Sequence, residues 1–112
     1  MKNSARRPQA PKDLSAEARG RWRELVKEYG IQDAAGLQIL QTAMEAFDRM
    51  RGAQAQIEKD GQTHLDRFGQ MKSHPLLPVE RDARAAMLSA LKALHLDFEP
   101  LHDRPGRPGG GS

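Results

Sequence analysis

The chain has 112 residues, of which 38% are hydrophobic and 4% aromatic, and it contains no cysteine. That length fits one small domain and argues against a two-domain enzyme, and the lack of cysteine excludes disulfides and thiolate metal sites. Because no segment approaches the roughly 20 apolar residues that span a bilayer, we expect a soluble, cytoplasmic protein with no membrane partner.

The net charge is only +3, but the cations are concentrated at the N-terminal end. A cluster of cations attracts phosphate backbones because it displaces their counterions. The same composition also suits a disordered basic arm that only keeps the protein soluble. Within residues 1–27 the acids are Asp13, Glu17 and Glu24, and the cations are Lys2, Arg6, Arg7, Lys12, Arg19, Arg21, Arg23 and Lys27.

Residues 1–12 contain two prolines and few large apolar side chains, which predicts a disordered or loosely docked basic arm. Ser15 can cap a first, short helix, and Gly30 can end it. Trp22 falls on the apolar face of this helix, where we expect it to anchor the helix to its neighbour; base stacking is the alternative role for a single tryptophan.

A long central helix is predicted from the cap Asp33 to Asp60, which precedes a stop signal at Gly61. At about 1.5 Å per residue this helix is roughly 40 Å long, more than a small domain can cover. We therefore expect its C-terminal half, from Met50 onward, to meet a neighbouring subunit. Its larger apolar residues form a narrow stripe of the kind found in coiled coils: Leu37, Leu40, Met44, Phe47, Met50 and Ile57.

After Gly61, residues 62–73 show no strong period and could form a loop, a short β-like turn or one or two helical turns. A third helix opens with residues 74–78, where proline is tolerated, and ends near His95 and Leu96 because Pro100 follows. Its predicted apolar face comprises Ala83, Ala86, Met87, Ala90, Leu91 and Leu94.

The prediction is therefore an all-α protein with a short N-terminal helix, one long central helix and a third C-terminal helix. The basic arm spans residues 1–12, a helical domain spans residues 13–101, and a flexible tail rich in proline, glycine and arginine spans residues 102–112. We expect Leu96, Phe98 and Leu101 to hold the end of the domain against its body.

No catalytic constellation stands out. The histidines lack the i, i+4 spacing of helical metal ligands, and the carboxylates of the long helix fit a solvated face. The chain also lacks a phosphate-binding loop and a dinucleotide-binding turn. We therefore expect a protein that is not an enzyme and holds neither a metal nor a cofactor.

Taken together, the order of these signals resembles that of the tailed-phage terminase small subunit family, over residues 11–108. The resemblance implies a mostly helical protomer of a ring-like homo-oligomer that binds double-stranded viral DNA in the host cytoplasm. It also implies a partner, the terminase large subunit, which carries the ATPase and nuclease and which the small subunit recruits and regulates. The signals are Pro11, Leu14, Ala18 and Trp22, then Asp60-Gly61, Gly69 and His74-Pro75, then Leu91, Leu94, Leu96 and Pro100, and last Gly106-Arg107-Pro108.

Two sets of residues follow from this interpretation. The proposed DNA contacts are Arg6, Arg7, Lys12, Arg19, Arg23 and Lys27. The proposed oligomer interface comprises Met50, Ala53 and Ile57 on the long helix.

Two other classes of protein stay open. One is a small helical adaptor or scaffold that binds another protein through the apolar stripe of the long helix. The other is a metal-dependent nuclease that uses helix carboxylates.

Overall fold

The computed structural model describes residues 8–95. Along this part of the chain the elements are α1 (Ala16–Tyr29), α2 (Ala34–Asp60), β1 (Thr63–Leu65), β2 (Met71–Ser73) and α3 (Leu77–Ala93). The mostly helical architecture with a long central helix is confirmed. The expectation of an all-α fold is corrected in one place, because β1 and β2 pair as an antiparallel hairpin.

The ends of α1 and α2 lie where the capping residues predict them. The Ser15 hydroxyl accepts a hydrogen bond from the first turn of α1, and Gly30 ends that helix with φ 63°. The Asp33 carboxylate caps α2 in the same way, and Gly61 follows it with φ 90°. Positive φ is a conformation that glycine adopts at little cost, so both stop signals act through backbone freedom.

The central helix α2 packs against α1 and α3, and both run antiparallel to it. The start of α1 meets the middle of α2, where Ser15 bonds Asp48. The start of α3 meets the C-terminal part of α2, where the Gln54 amide donates to Glu80 over 2.9 Å. The core includes Leu14, Ala18, Trp22, Val26, Ile31, Leu40, Ala43, Met44, Phe47, Met50, Ala83 and Leu91.

The apolar stripe predicted for α2 is confirmed, since all its members except the half-buried Leu37 are buried. The face predicted for α3 needs one correction. Ala83 and Leu91 are buried and Met87 packs against the core, but Ala86 is exposed, because it lies at the border of the apolar arc, where α2 does not reach.

The segment after Gly61 forms the β alternative among the predicted conformations and not the helical one. Leu65 pairs with Met71 across the hairpin. The Asp66 carboxylate accepts hydrogen bonds from the backbone N–H of Phe68 and of Gln70, at 2.8 and 2.9 Å. This side-chain turn fixes the tip of the hairpin.

The third helix begins at Leu77, three residues after the predicted opening at His74. Residues 74–76 instead form a turn in which the Leu77 N–H donates to the His74 carbonyl over 3.1 Å. The helix ends at Ala93, close to the predicted end near His95.

Several predictions fall on residues outside the described part of the chain: Arg6 and Arg7, Leu96, Phe98 and Leu101, and the tail over residues 102–112. Within residues 8–95, no helix combines the length and the apolar content that crossing a membrane requires.

Candidate nucleic-acid interface

Three of the predicted cations form a row along α1. Arg19, Arg23 and Lys27 recur every four residues, a spacing that places side chains one turn apart on the same side of a helix. Arg23 and Lys27 are exposed, and Arg19 is half-buried. The row lies beside the buried face of α1, about 100° around the helix axis from it, because each of the three cations directly follows one of the buried residues Ala18, Trp22 and Val26.

A fourth predicted cation joins the row at its N-terminal end. The Arg19 guanidinium donates from Nη1 to the backbone carbonyl of Lys12 over 3.3 Å. Lys12 is itself exposed. Lys12, Arg19, Arg23 and Lys27 are called the cation row below, and the structure thus brings together all the predicted DNA contacts that it describes.

The cation row is free of ion pairs within residues 8–95, where the paired cations are Arg51, His74, Arg81 and Arg84. An exposed cation without a carboxylate partner keeps its full attraction for an external anion. The row is therefore available to phosphates in a way that the paired arginines are not.

A groove of about 310 Å³ lies beside the row. The Trp22 ring forms part of its wall, but Trp22 is buried, so the tryptophan anchors α1 as predicted and does not present a stacking surface. Its indole Nε1–H has no hydrogen-bond partner within the described residues. The lining residues are Pro8, Gly20, Trp22, Arg23, Glu24, Val26 and Lys27.

A second cationic cluster was not predicted from the sequence. The guanidinium carbon of Arg21 lies 5.5 Å from the centre of the Phe47 ring, and that of Arg51 lies 5.1 Å from it. Arg51 also pairs with Glu17 over 3.1 Å. Phe47 and Arg51 are four residues apart on α2, a spacing that could have revealed their contact, whereas the approach of Arg21 depends on how α1 packs.

The residues proposed for the oligomer interface are buried inside the protomer. Met50, Ala53 and Ile57 are 7%, 4% and 7% exposed, because α3 runs back along α2 and covers its C-terminal half. Packing against α3 within the same protomer is enough to explain why these three residues are apolar, and no second subunit is needed for it. Their role in an interface stays a prediction that a single protomer does not test.

The junction of α2 with α3 is held by a buried histidine. His74 Nδ1 accepts a hydrogen bond from the Leu76 N–H over 3.0 Å, so the ring proton of the neutral form resides on Nε2 and is donated to Asp60 Oδ2 over 2.8 Å. The hydrogen bond from Gln56, followed by that from His74, lowers the pKa of Asp60 below its ordinary value.

Glu80, in the first turn of α3, makes two further polar contacts, one to α2 and one within α3. The carboxylate of Glu80, which is nearly buried, accepts from the Gln54 amide and from the Arg84 guanidinium. Burying a charge costs free energy unless the charge is paired. These two partners therefore offset the cost of placing Glu80 at a buried position.

Among the residues that the structure describes, no group of three or more histidine, cysteine, aspartate or glutamate side chains is arranged to hold a metal ion. The His74 ring is fully engaged by Leu76 and Asp60.

Comparison with known protein families identifies the family of this chain. A family model described as phage terminase, small subunit, matches residues 18–99, a range that contains nearly all of α1 and the whole of α2, the hairpin and α3. No curated protein and no solved structure matches the chain at a significant level.

Proposed function

The chain belongs to the phage terminase small subunit family, and we propose that it is the non-catalytic, oligomeric DNA-recognition subunit of a phage genome-packaging machine. In this role it binds double-stranded viral DNA in the cytoplasm of the host bacterium and delivers that DNA to the large subunit. The large subunit supplies ATP hydrolysis and DNA cleavage, and the small subunit regulates both. Family membership supports the packaging role, and the cation row supports the contact with DNA.

The observation that carries the DNA proposal is that four cations, three exposed and one half-buried, form a row and make no ion pairs within residues 8–95. Arg6 and Arg7, which precede them in the sequence, are further proposed phosphate contacts. Phosphate contacts of this kind position a protein on DNA without reading its sequence. Each such contact releases counterions, so binding through the row should weaken steeply as salt is added.

The direct experiment measures binding of the full chain to duplex DNA over a series of salt concentrations. We expect log K to fall linearly with log salt concentration, with a slope of about −0.9 for each phosphate contacted on B-DNA. Binding that is absent, or that does not respond to salt, would refute the DNA part of the proposal. Measuring the molar mass by light scattering in the same samples tests the oligomeric part separately.

The adaptor alternative is less well supported because the surface that it requires is covered. The α2 stripe that would receive a partner helix is buried against α1 and α3, with Leu40 and Met44 fully enclosed. A partner protein could reach this stripe only by displacing one of the two helices.

The nuclease alternative is tested by adding magnesium or manganese and looking for cleavage of DNA.

A further inference from the structure

The hairpin exposes an unusual amount of apolar surface for its size. Leu65, Phe68 and Met71 are 64%, 74% and 65% exposed, and every residue of both strands is exposed. Three large apolar side chains within seven residues form the densest exposed apolar cluster of residues 8–95. Such clusters mark contact surfaces when they occur on a folded protein.

The two faces of the hairpin differ. Successive side chains of a strand point to opposite faces, and Leu65 pairs with Met71 while His64 pairs with Lys72. One face therefore carries Leu65 and Met71 near the tip and the polar pair Thr63 and Ser73 at the base, and the other carries His64 and Lys72. At the tip, the Arg67 guanidinium carbon lies 5.1 Å from the centre of the Phe68 ring, so a cation accompanies the most exposed aromatic side chain of residues 8–95.

The hairpin is fixed at both ends. The Asp66 carboxylate holds the tip through two backbone N–H groups, and at the base the His74 N–H donates to the Gln62 carbonyl over 2.8 Å. The base is also tied to α2 by the bond between His74 and Asp60. A two-stranded hairpin is only marginally stable in water by itself. Because this hairpin is fixed in place while its apolar side chains stay exposed, we expect a partner to cover them.

A second surface lies beside the base of the hairpin. A cleft of about 470 Å³ opens between the end of α2 and the start of α3, and it is called the junction cleft below. Ile57 and Leu77 give it apolar walls. The tip of the protomer's own hairpin does not line it. The lining residues are Gln54, Ile57, Glu58, Gly61, Gln62, Leu77, Glu80 and Arg84.

The charges of the two surfaces are complementary. The hairpin carries the exposed cations Arg67 and Lys72, and its one acid, Asp66, is occupied by the turn. In the junction cleft Glu80 and Arg84 pair with each other. The other acid of the lining, Glu58, is exposed and makes no ion pair within residues 8–95. A hairpin entering the cleft can place Arg67 near Glu58 while Phe68 meets Leu77, the half-buried apolar residue of the lining.

We propose that the hairpin of one copy of this chain packs into the junction cleft of the next copy. This inference rests on the oligomer of the proposed function and names its interface. The contact is heterologous, since the two surfaces differ, and a heterologous contact builds a ring when its rotation closes. Apolar groups supply most of the proposed contact, which favours a protein partner over DNA, and the α2 stripe is already covered inside the protomer.

The first test compares molar masses by light scattering for the full-length wild type, Phe68→Asp and the control Leu88→Asp. Both positions are exposed, and position 68 lies in a turn that tolerates aspartate. We expect the wild type and Leu88→Asp to assemble and Phe68→Asp to fall to the 12.5 kDa monomer. Circular dichroism should show unchanged helix content in both variants.

The outcomes separate the two proposals. An assembled Phe68→Asp variant would overturn the hairpin interface and leave the proposed function intact. A monomeric wild type would refute the oligomer itself, and the interface with it. If Phe68→Asp keeps its molar mass but loses DNA binding, the hairpin contacts DNA and the interface is wrong.

The second test uses the absence of cysteine from the chain. Chains carrying Phe68→Cys are mixed with chains carrying Glu58→Cys and oxidised gently. A covalent dimer that forms in the mixture, and not in either variant alone, supports the proposal. Dimers of Phe68→Cys alone would show that hairpin tips meet each other and would overturn it.

Discussion

Ser15 donates two hydrogen bonds to Asp48, one from its backbone N–H over 2.8 Å and one from its hydroxyl over 2.6 Å. The same hydroxyl oxygen accepts from the Ala18 N–H over 3.0 Å. Asp48 on α2 therefore orients the residue that caps α1, and its negative charge lies at the positive end of that helix. One carboxylate thus fixes where α1, and with it the cation row, begins.

The first prediction concerns this contact. Asp48→Ala should reduce the free energy of unfolding by about 1 kcal/mol, the usual value for losing a cap interaction at a partly exposed site. Chemical denaturation of Asp48→Ala, Ser15→Ala and the double variant measures the coupling. Simple addition of the two single effects would contradict a direct interaction between the residues.

The second prediction concerns the cation row. Lys27→Gln should weaken binding to duplex DNA and reduce the magnitude of the salt slope by about 0.9, because one phosphate contact is lost. Lys92→Gln is the matched control, since both lysines are exposed and lie in the last turn of a helix. Equal effects of the two substitutions would mean that only overall charge matters.

The third prediction separates a core role of Ile57 from an interface role. Ile57→Ala should cost about 2–3 kcal/mol of unfolding free energy because it removes buried methyl groups. If Ile57 acts inside the protomer, this loss does not depend on protein concentration. A loss that shrinks on dilution would instead indicate that the residue stabilises an assembly, because assembly contributes less to stability as the protein concentration falls. Urea denaturation at two concentrations distinguishes the cases.

The fourth prediction follows from the lowered pKa of Asp60, caused first by the Gln56 hydrogen bond and then by that from His74. Because the folded-state pKa is lower than the unfolded one, the ionised carboxylate stabilises the fold above its ordinary pKa of about 3.9. That stabilisation is lost as the pH falls through the folded-state value.

Thermal denaturation between about pH 5 and pH 2 checks this. Asp60→Asn should lose less stability over this range than the wild type does. Near neutral pH, the stability of the two proteins should change with pH to about the same extent. Since half of this side chain faces solvent, added salt should shrink the difference. Parallel acid curves for the two proteins would show that Asp60 does not contribute.

The sequence predicts the helices well because their signals are local. Ser15, Asp33 and Gly61 act within one turn of the helix that each begins or ends, and the α2 stripe repeats often enough to be unambiguous. The sequence does not decide between a hairpin and a helical turn here, because Leu65, Phe68 and Met71 are spaced by three, which also suits a helical turn. Their exposure cannot be read from this spacing.

The sequence also could not predict that α3 of the same chain covers the C-terminal half of α2, for a related reason. A stripe such as that ending at Ile57 shows that a helix needs a partner, but it does not say whether the partner belongs to the same chain. That depends on where α3 begins and in which direction it runs. Likewise, the four described members of the cation row are recognisable from sequence, whereas the contact of Arg21 with Phe47 arises only from packing.

The antiparallel packing of each helix on its neighbour in the sequence also bears on how the protein folds and assembles. Contacts between successive elements close short loops, which favours rapid folding of the single chain. Association of finished chains is a separate bimolecular step whose rate depends on concentration. We therefore expect refolding after dilution from denaturant to show a fast phase independent of protein concentration, followed by a slower phase that accelerates as concentration rises.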